Sequence, residues 1–322
     1  MAIGTSSNID RYLVLGNLGR GAKSSIWKVQ DPDDGRIYTL KQVIKENEGD
    51  TRFFDQAQIE YDVSSRVDHP YLRKSFTLKR IRKWLKTQEL ILVMEYVEGA
   101  QLKQMGPSGI EETIKIFTKV AQGLSSLHEF GYVHADVKPK NILTVPNDGI
   151  KIIDFGQSCP MGHKKNRIQG TPDYMAPEQK ERGYLDQRTD IFNLGASLYW
   201  VTTGTKFPTT MSGSGNGNDL SGPANYRNIP RPDALNTEVP PALSKLIMDC
   251  CKDSPKERPQ SMREVIGRLE VAWHLYEKQN PSPPVETPKE EPAGLKKAPN
   301  HADTDMADDD SDDFEKFIES IL

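Results

Sequence analysis

The sequence predicts an α+β chain in two unequal lobes followed by a polar tail. Three observations carry this. Strand-like runs joined by turn signals fill the N-terminal third. From Gly99 onward apolar residues recur at helical spacing. Beyond residue 280 there are six prolines within 281–299, and then an Asp-rich stretch at 303–313.

Residues 1–8 are small and polar and read as a flexible end. From Ile9, Tyr12 and Val14 begin a strand-like pattern that runs through L-G-N-L-G-R-G to I-W-K-V at 26–29. D-P-D-D-G at 31–35 is a turn signal, because Asp and Gly tolerate the backbone angles of a reversal. I-Y-T-L-K at 37–41 reads as a third strand, so the three make an antiparallel meander. Residues 51–67 are helical in character, with Phe54, Ala57, Ile59 and Val63 among charges, and His69-Pro70 stops that helix. Two more strands are expected in 71–97, with K-R-I-R-K-W-L-K at 79–86 between them. The second, L-I-L-V-M-E-Y-V at 90–97, is apolar enough to be buried on both faces.

In the second lobe Ile114, Phe117, Ala121, Leu124 and Leu127 form one apolar helical face ending near Gly131. Ile191–Trp200 is apolar almost all round, which predicts a fully buried helix. Residues 202–240 are rich in Gly, Ser, Asn and Pro, with M-S-G-S-G-N-G-N-D at 211–219 read as a flexible insert. Helices are expected near 241–252 and 261–277, the second opening on Ser261 and Glu264 at capping-box spacing. The prolines after 280 forbid a packed helix, and the acidic composition beyond them predicts disorder. At the very end, Phe314, Phe317, Ile318, Ile321 and Leu322 share one face of a short amphipathic helix suited to docking.

The chain has 322 residues and a formal net charge of -4. Residues 281–322 carry 12 Asp/Glu against 4 Lys/Arg, so the tail holds -8 and the remainder is mildly basic. Such a balance gives no reason to expect nucleic acid as a partner. Cys159, Cys250 and Cys251 form neither a disulfide framework nor a metal-ligand spacing, as expected in a reducing cytoplasm. No apolar run reaches the ~18 residues that a membrane helix needs, and no basic-then-apolar leader opens the chain. A soluble cytoplasmic protein is the expectation.

Chemistry concentrates between His134 and Glu178: H-A-D-V-K-P-K-N at 134–141, I-K-I-I-D-F-G at 150–156 and G-T-P-D-Y-M-A-P-E at 170–178. Together these resemble the catalytic loop, metal-binding turn and substrate-facing loop of the eukaryotic-type (Hanks-type) Ser/Thr protein kinases. The resemblance covers residues 9–277, with the motifs in the family's order, and E-Y-V-E-G at 95–99 is similar to the bacterial group. It implies the two-lobed protein kinase fold over 9–278. The N-lobe, 9–97, would hold an antiparallel sheet and one helix; the C-lobe, 98–278, would be mainly helical; 279–322 would be the tail. It implies ATP-dependent transfer of a phosphoryl group to Ser/Thr hydroxyls of proteins, including the chain's own, with Mg²⁺ or alternatively Mn²⁺.

Residue by residue, Gly19, Gly21, Ala22, Ser24 and Ile26 resemble the Gly-rich loop over the phosphates, with Ser24 in place of the third glycine. Lys41 resembles the phosphate-holding lysine. A lone lysine at a strand end is ordinarily a solvated charge, but Glu60, inside the predicted helix, is the ion-pair partner the family requires. Thr39, Met94, Glu95 and Val97 fall among the implied nucleotide contacts, the last three as gatekeeper and hinge. Asp136 resembles the catalytic aspartate and Lys138 the lysine that stabilises charge on the transferred group. Asn141 and Asp154 would hold the metal, and Thr171 would bond Asp136 and Lys138. His134 and Phe155 read as structural, Glu178 and Arg258 as a buried ion pair, and Asp190 as a clamp on the catalytic-loop backbone.

Two positions depart from the family. Ala135 stands where arginine is usual, the residue that pairs with a phosphate on the activation loop, so activity without loop phosphorylation is expected. Only Ser158 and Thr171 offer Ser/Thr hydroxyls in that loop. Ser64, one turn after Glu60, replaces a usual apolar residue, which weakens the expected packing there. Two other readings are a nucleotide-binding scaffold without turnover and a small-molecule phosphotransferase. The first is disfavoured by the complete set Lys41, Glu60, Asp136, Lys138, Asn141 and Asp154. The second is disfavoured by A-P-E at 176–178. The basic run at 79–86 reads as a solvated strand face or a docking surface for an acidic partner, the chain's own tail included.

Overall fold

In the computed structural model, which describes residues 8–21, 23–47, 51–83, 86–106, 109–147, 149–209 and 229–281, the N-terminal strands pair into one antiparallel sheet. They are β1 (Asn8–Ile9), β2 (Tyr12–Arg20), β3 (Ser24–Gln30), β4 (Ile37–Ile44), β5 (Ser75–Lys83) and β6 (Lys86–Glu95), in the spatial order β1-β2-β3-β4-β6-β5. Strand alternation sends Tyr12, Val29, Leu40, Ile91 and Val93 into one apolar cluster. Val43 and Leu90 pack with Ala57 of helix α1 (Thr51–Ser64) in another. The Gly-rich run is mostly strand: β2 continues to Arg20 through two register shifts, and β3 opens at Ser24. Residues 79–83, expected between strands, belong to β5, and Lys86 opens β6. Leu78 and Ile81 fall on opposite faces of the strand, Leu78 packing toward α1 and Ile81 into the other cluster, which keeps the basic stretch paired in the sheet. Lys79 pairs with Asp10 and Arg80 with Gln58.

The C-lobe begins with β7 (Ala100–Gln101) and the short α2 (Leu102–Met105), then α3 (Ile110–Glu129). The inward face of α3 buries Ile114, Phe117, Val120, Ala121, Leu124 and Leu127. Each of these side chains except Ala121 contributes about 1.5–3 kcal/mol relative to exposure. Next come β8 (Tyr132–Val133), β9 (Ile142–Val145), β10 (Gly149–Ile152), β11 (Cys159–Pro160), β12 (His163–Lys164), α4 (Pro177–Lys180) and β13 (Tyr184–Leu185). Helix α5 (Gln187–Thr203) is buried on nearly every side, as its apolar composition predicts. Gly195 lets it touch α7 (Pro241–Cys250), which follows α6 (Pro232–Leu235): a Cβ there would lie 2.5 Å from the Cβ of Cys250. Burial pushes the Cys250 thiol up to about 12, so it packs as an inert apolar group.

Helix α8 (Met262–Gln279) is capped by Ser261, whose hydroxyl accepts from the Glu264 amide at 3.2 Å. The return bond differs from a capping box, because Glu264 accepts from the amide of Gln260 rather than of Ser261. No helix among the described residues is long and apolar enough to cross a membrane. The tail and its terminal segment lie outside the described residues, as does the insert at 211–219.

Candidate active site

Between the lobes lies a cleft of about 410 Å³. Its lining includes Gly19, Gly21, Ser24, Ile26, Thr39, Lys41, Glu60, Val97, Asn141 and Asp154, ten of the positions singled out from sequence. A larger open groove of about 1100 Å³ runs between α3 and the β9–β10 turn, but its lining brings together none of the chemical motifs. Leu18 and Ile26 come from one lobe and Leu143 and Ile153 from the other, giving the cleft two apolar walls suited to a flat ring. Leu143 and Ile153, the latter inside the I-K-I-I-D-F-G run, were not singled out from sequence as cleft residues. Tyr96 and Val97 form the hinge wall, while Met94 is wholly buried behind it. The carboxylate of Glu95 pairs with Lys151 at 2.8 Å and accepts from the Lys74 amide at 3.1 Å. Ala22 lies outside the described residues.

On the N-lobe side, β4 places Lys41 opposite Ile26 and Leu92. Its Nζ lies 2.6 Å from Glu60 Oε2 on α1 and 3.9 Å from Asp154 Oδ1. Burial alone would lower the Lys41 pKa, but Glu60 and Asp154 outweigh it and the value is raised. Arg73 also reaches Glu60, at 2.8 Å, a contact no sequence motif announced. Gly21 donates its amide to the Ser24 carbonyl at 2.7 Å, and a Cβ on Gly21 would meet Ser24 Oγ at 2.7 Å. A side chain at Gly21 would force the Ser24 hydroxyl to turn away, and Gly21 itself lines the cleft.

On the C-lobe side, Asp136 accepts from the Thr171 hydroxyl at 2.8 Å and from Lys138 Nζ at 2.5 Å. Lys138 also donates to Thr171 at 2.6 Å, so Thr171 bonds both residues as expected. Asn141 donates its amide nitrogen to the Asp136 carbonyl at 3.0 Å, which leaves its side-chain oxygen as a cation ligand. Asp154 sits at φ +67°, a conformation that costs a non-glycine residue about 1–2 kcal/mol. Burial would raise its pKa, but Lys41, Lys138 and Arg73 more than offset this and hold it below the ordinary 3.8. A depressed pKa means the ionised form's contribution to stability is complete above the unfolded-state value and is lost as pH falls through the folded one. The carboxyl carbon shift of Asp154, followed by NMR, is therefore expected to titrate below 3.8. A midpoint above that value would show that the cations do not hold it.

Asp190, at the head of α5, accepts from the amides of His134 at 2.8 Å and Ala135 at 2.7 Å, and contacts His128 at 2.8 Å. Those bonds hold Ala135 at φ +60°. Gln179 donates to the Ala135 carbonyl at 2.8 Å and accepts from Asn193, tying the catalytic loop to α5. The Ala135 methyl packs with Val133, Cys159 and Leu185, with Met161 against them. The space an arginine would occupy is thus an apolar nest. Ser158 is buried, and Lys165 donates to the Gln157 carbonyl, so the loop is fastened by its own residues. His134 stacks on Phe155 with ring centroids 5.2 Å apart. Arg258 makes a two-pronged pair with Glu178, at 2.8 and 2.9 Å.

The protein kinase domain family model matches residues 12–268. The chain belongs to the protein kinase family. Among curated relatives, a probable serine/threonine-protein kinase of Clostridium perfringens is 32% identical over 275 residues, covering 81% of this chain and 38% of that protein. Serine/threonine-protein kinase A of Synechocystis is 27% identical over 318 residues, covering 92% and 58%. The chain thus spans less than two thirds of the length of these kinases. Among solved structures, the Mycobacterium tuberculosis PknI kinase domain superposes with a TM-score of 0.62 at 22% identity, covering 84% of this chain and all of that one. This likeness establishes the kinase fold.

Proposed function

We propose that this kinase domain transfers the γ-phosphoryl group of ATP to Ser/Thr hydroxyls of protein substrates, its own chain among them. The observation that carries the reading is one cleft with the Lys41–Glu60 pair on one wall, Asn141 and Asp154 on the other, and Asp136 with Lys138 beside Asn141. The apolar walls take the adenine, with the hinge backbone from Glu95 to Val97 bonding its edge. The Gly21 turn and Lys41 hold the phosphates. Asp136 orients the substrate hydroxyl and takes up its proton, and Lys138 faces the charge that develops on the transferred group.

One carboxylate and one amide oxygen, with no cluster of three or more acidic, His or Cys ligands among the described residues, suit Mg²⁺ better than a cation that needs a full protein cage. Mn²⁺ satisfies the same donors. Bound between Asn141 and Asp154, the ion would neutralise phosphate charge. We place the domain in the cytoplasm and assign the acidic tail a docking role, toward a basic partner or the chain's own basic strand β5.

The test is γ-phosphate transfer to the chain itself and to a generic protein. Nucleotide binding without transfer would support the scaffold reading instead. Because Ala135 lies in an apolar nest, Ser158 is buried and Thr171 is held by Asp136 and Lys138, no loop phosphate is needed to order the site. Phosphatase-treated protein is expected to keep its initial transfer rate. A lag that disappears after loop phosphorylation would contradict this.

A further inference from the structure

Glu60 is held from two sides. Its side chain is 1% exposed, with Lys41 at 2.6 Å on one oxygen and Arg73 at 2.8 Å on the other. With Asp154 beyond Lys41, the charges alternate along the line Arg73, Glu60, Lys41, Asp154. Four residues after Glu60, on the same face of α1, Ser64 donates to the Glu60 carbonyl and lies 2.6 Å from Ser75 Oγ. Both serines are buried. Arg73 lies two residues before Ser75, which opens β5, and both side chains meet α1. Helix and strand are therefore clasped at two matched points, 60 to 73 and 64 to 75. Hydrogen bonds fix the register there, where apolar packing alone would tolerate sliding. The backbone of Arg73 is also anchored in the other lobe: its amide donates to the Ile152 carbonyl at 3.0 Å, and Ile152 donates back to Tyr71 at 2.8 Å. Ile152 lies two residues before Asp154.

We infer that Arg73 is a positioning residue for phosphoryl transfer, holding the Glu60 carboxylate and helix α1 in register whether or not nucleotide is bound. This rests on the reading that the cleft binds ATP. When phosphates enter, Lys41 must share its three donors between them and Glu60. A buried carboxylate deprived of its cation would be costly. Arg73 keeps Glu60 paired through that exchange, so Lys41 can turn to the phosphates while α1 stays in place. The Ser64–Ser75 bond is the second point of the clasp, and the loss of packing expected at Ser64 is made good by it.

The test uses the full chain with Arg73→Met and the milder Arg73→Gln, which keeps a neutral donor. Three quantities are read: KM for ATP and kcat, affinity for a fluorescent ATP analogue with Mg²⁺, and amide hydrogen exchange of α1 with and without nucleotide. Both variants are expected to lose roughly 10–100-fold in kcat/KM, with KM for ATP raised. In both, α1 should exchange faster than in wild type, and faster still when nucleotide binds and draws Lys41 away from Glu60. Wild type should show little dependence of α1 exchange on nucleotide. Adding Glu60→Gln to Arg73→Gln should cost less than the sum of the two single changes. A lower melting temperature with unchanged KM and unchanged α1 exchange in Arg73→Gln would reduce Arg73 to a structural residue and overturn the inference. If wild type binds nucleotide but transfers no phosphate, the proposed function fails, while the exchange data still decide the role of Arg73.

Discussion

Asp136→Asn is expected to lower kcat for phosphate transfer by roughly 10²–10⁴-fold, the usual contribution of a positioned proton acceptor. Affinity for nucleotide should stay near wild type, because Asp136 does not line the cleft. The substitution keeps the shape of the side chain and removes its charge. Both carboxylate oxygens now accept: Oδ1 from Thr171 at 2.8 Å, Oδ2 from Lys138 at 2.5 Å and from Asn141 at 3.3 Å. An amide can offer an acceptor to only one of these sides and sets a donor against the other, so with its oxygen toward Lys138 the Thr171 hydroxyl must give up the bond it donates and accept instead. The variant thus loses the group that takes the substrate proton and also disturbs the lysine that faces the transferred charge. Steady-state transfer beside fluorescent-nucleotide binding separates the two effects. A variant that kept a tenth or more of wild-type kcat would remove Asp136 from the mechanism and return the scaffold or an alternative base to consideration.

The parts of this site legible in the sequence are those fixed by short-range spacing. Asp136, Lys138 and Asn141 lie within one turn of chain, and the bonds among them follow from that proximity. Glu60 could be chosen over Asp62 by its spacing before His69-Pro70, although α1 itself already ends at Ser64. Asp190 could be assigned to backbone amides because a buried carboxylate without donors is too costly to persist, and the amides of His134 and Ala135 are those donors. What stayed hidden depends on distant pairs of ordinary residues. Arg73 follows a turn with no motif around it, and its partner is 13 positions away on another element. Ser64 looked like lost packing until Ser75 was placed beside it. Gln179 carries no signature, yet it joins the catalytic loop to α5. Register shifts in β2, which decide where the Gly-rich turn begins, leave no trace in hydrophobic alternation.

Arg258→Met is expected to destabilise the C-lobe by about 3–5 kcal/mol, the cost of breaking a buried ion pair from one side. The Arg258 side chain has no exposed surface, and every one of its five N–H donors is engaged. Nη1 and Nη2 take the two oxygens of Glu178, and the remaining donors go to the carbonyls of Lys252, Arg188 and Asp253. Methionine fills much of the volume but takes a donor from three carbonyls and both guanidinium contacts from Glu178, which keeps the Thr189 hydroxyl at 2.9 Å. Lysine would restore the charge without the planar fork, so Arg258→Lys should recover only part of the loss. For a domain of this size the midpoint of thermal unfolding should fall by about 10 °C. Glu178→Gln combined with Arg258→Met should cost less than the two changes summed, because the second no longer strands a buried charge. Wild-type melting in Arg258→Met would mean the pair is a bystander. The effect should also reach catalysis. Arg188, whose carbonyl Arg258 holds, lies two residues before Asp190 on α5, and Asp190 fixes the amides of His134 and Ala135 ahead of Asp136. Activity in the variant should therefore fall at temperatures below its melting midpoint, because loosening the head of α5 frees the loop before the lobe unfolds.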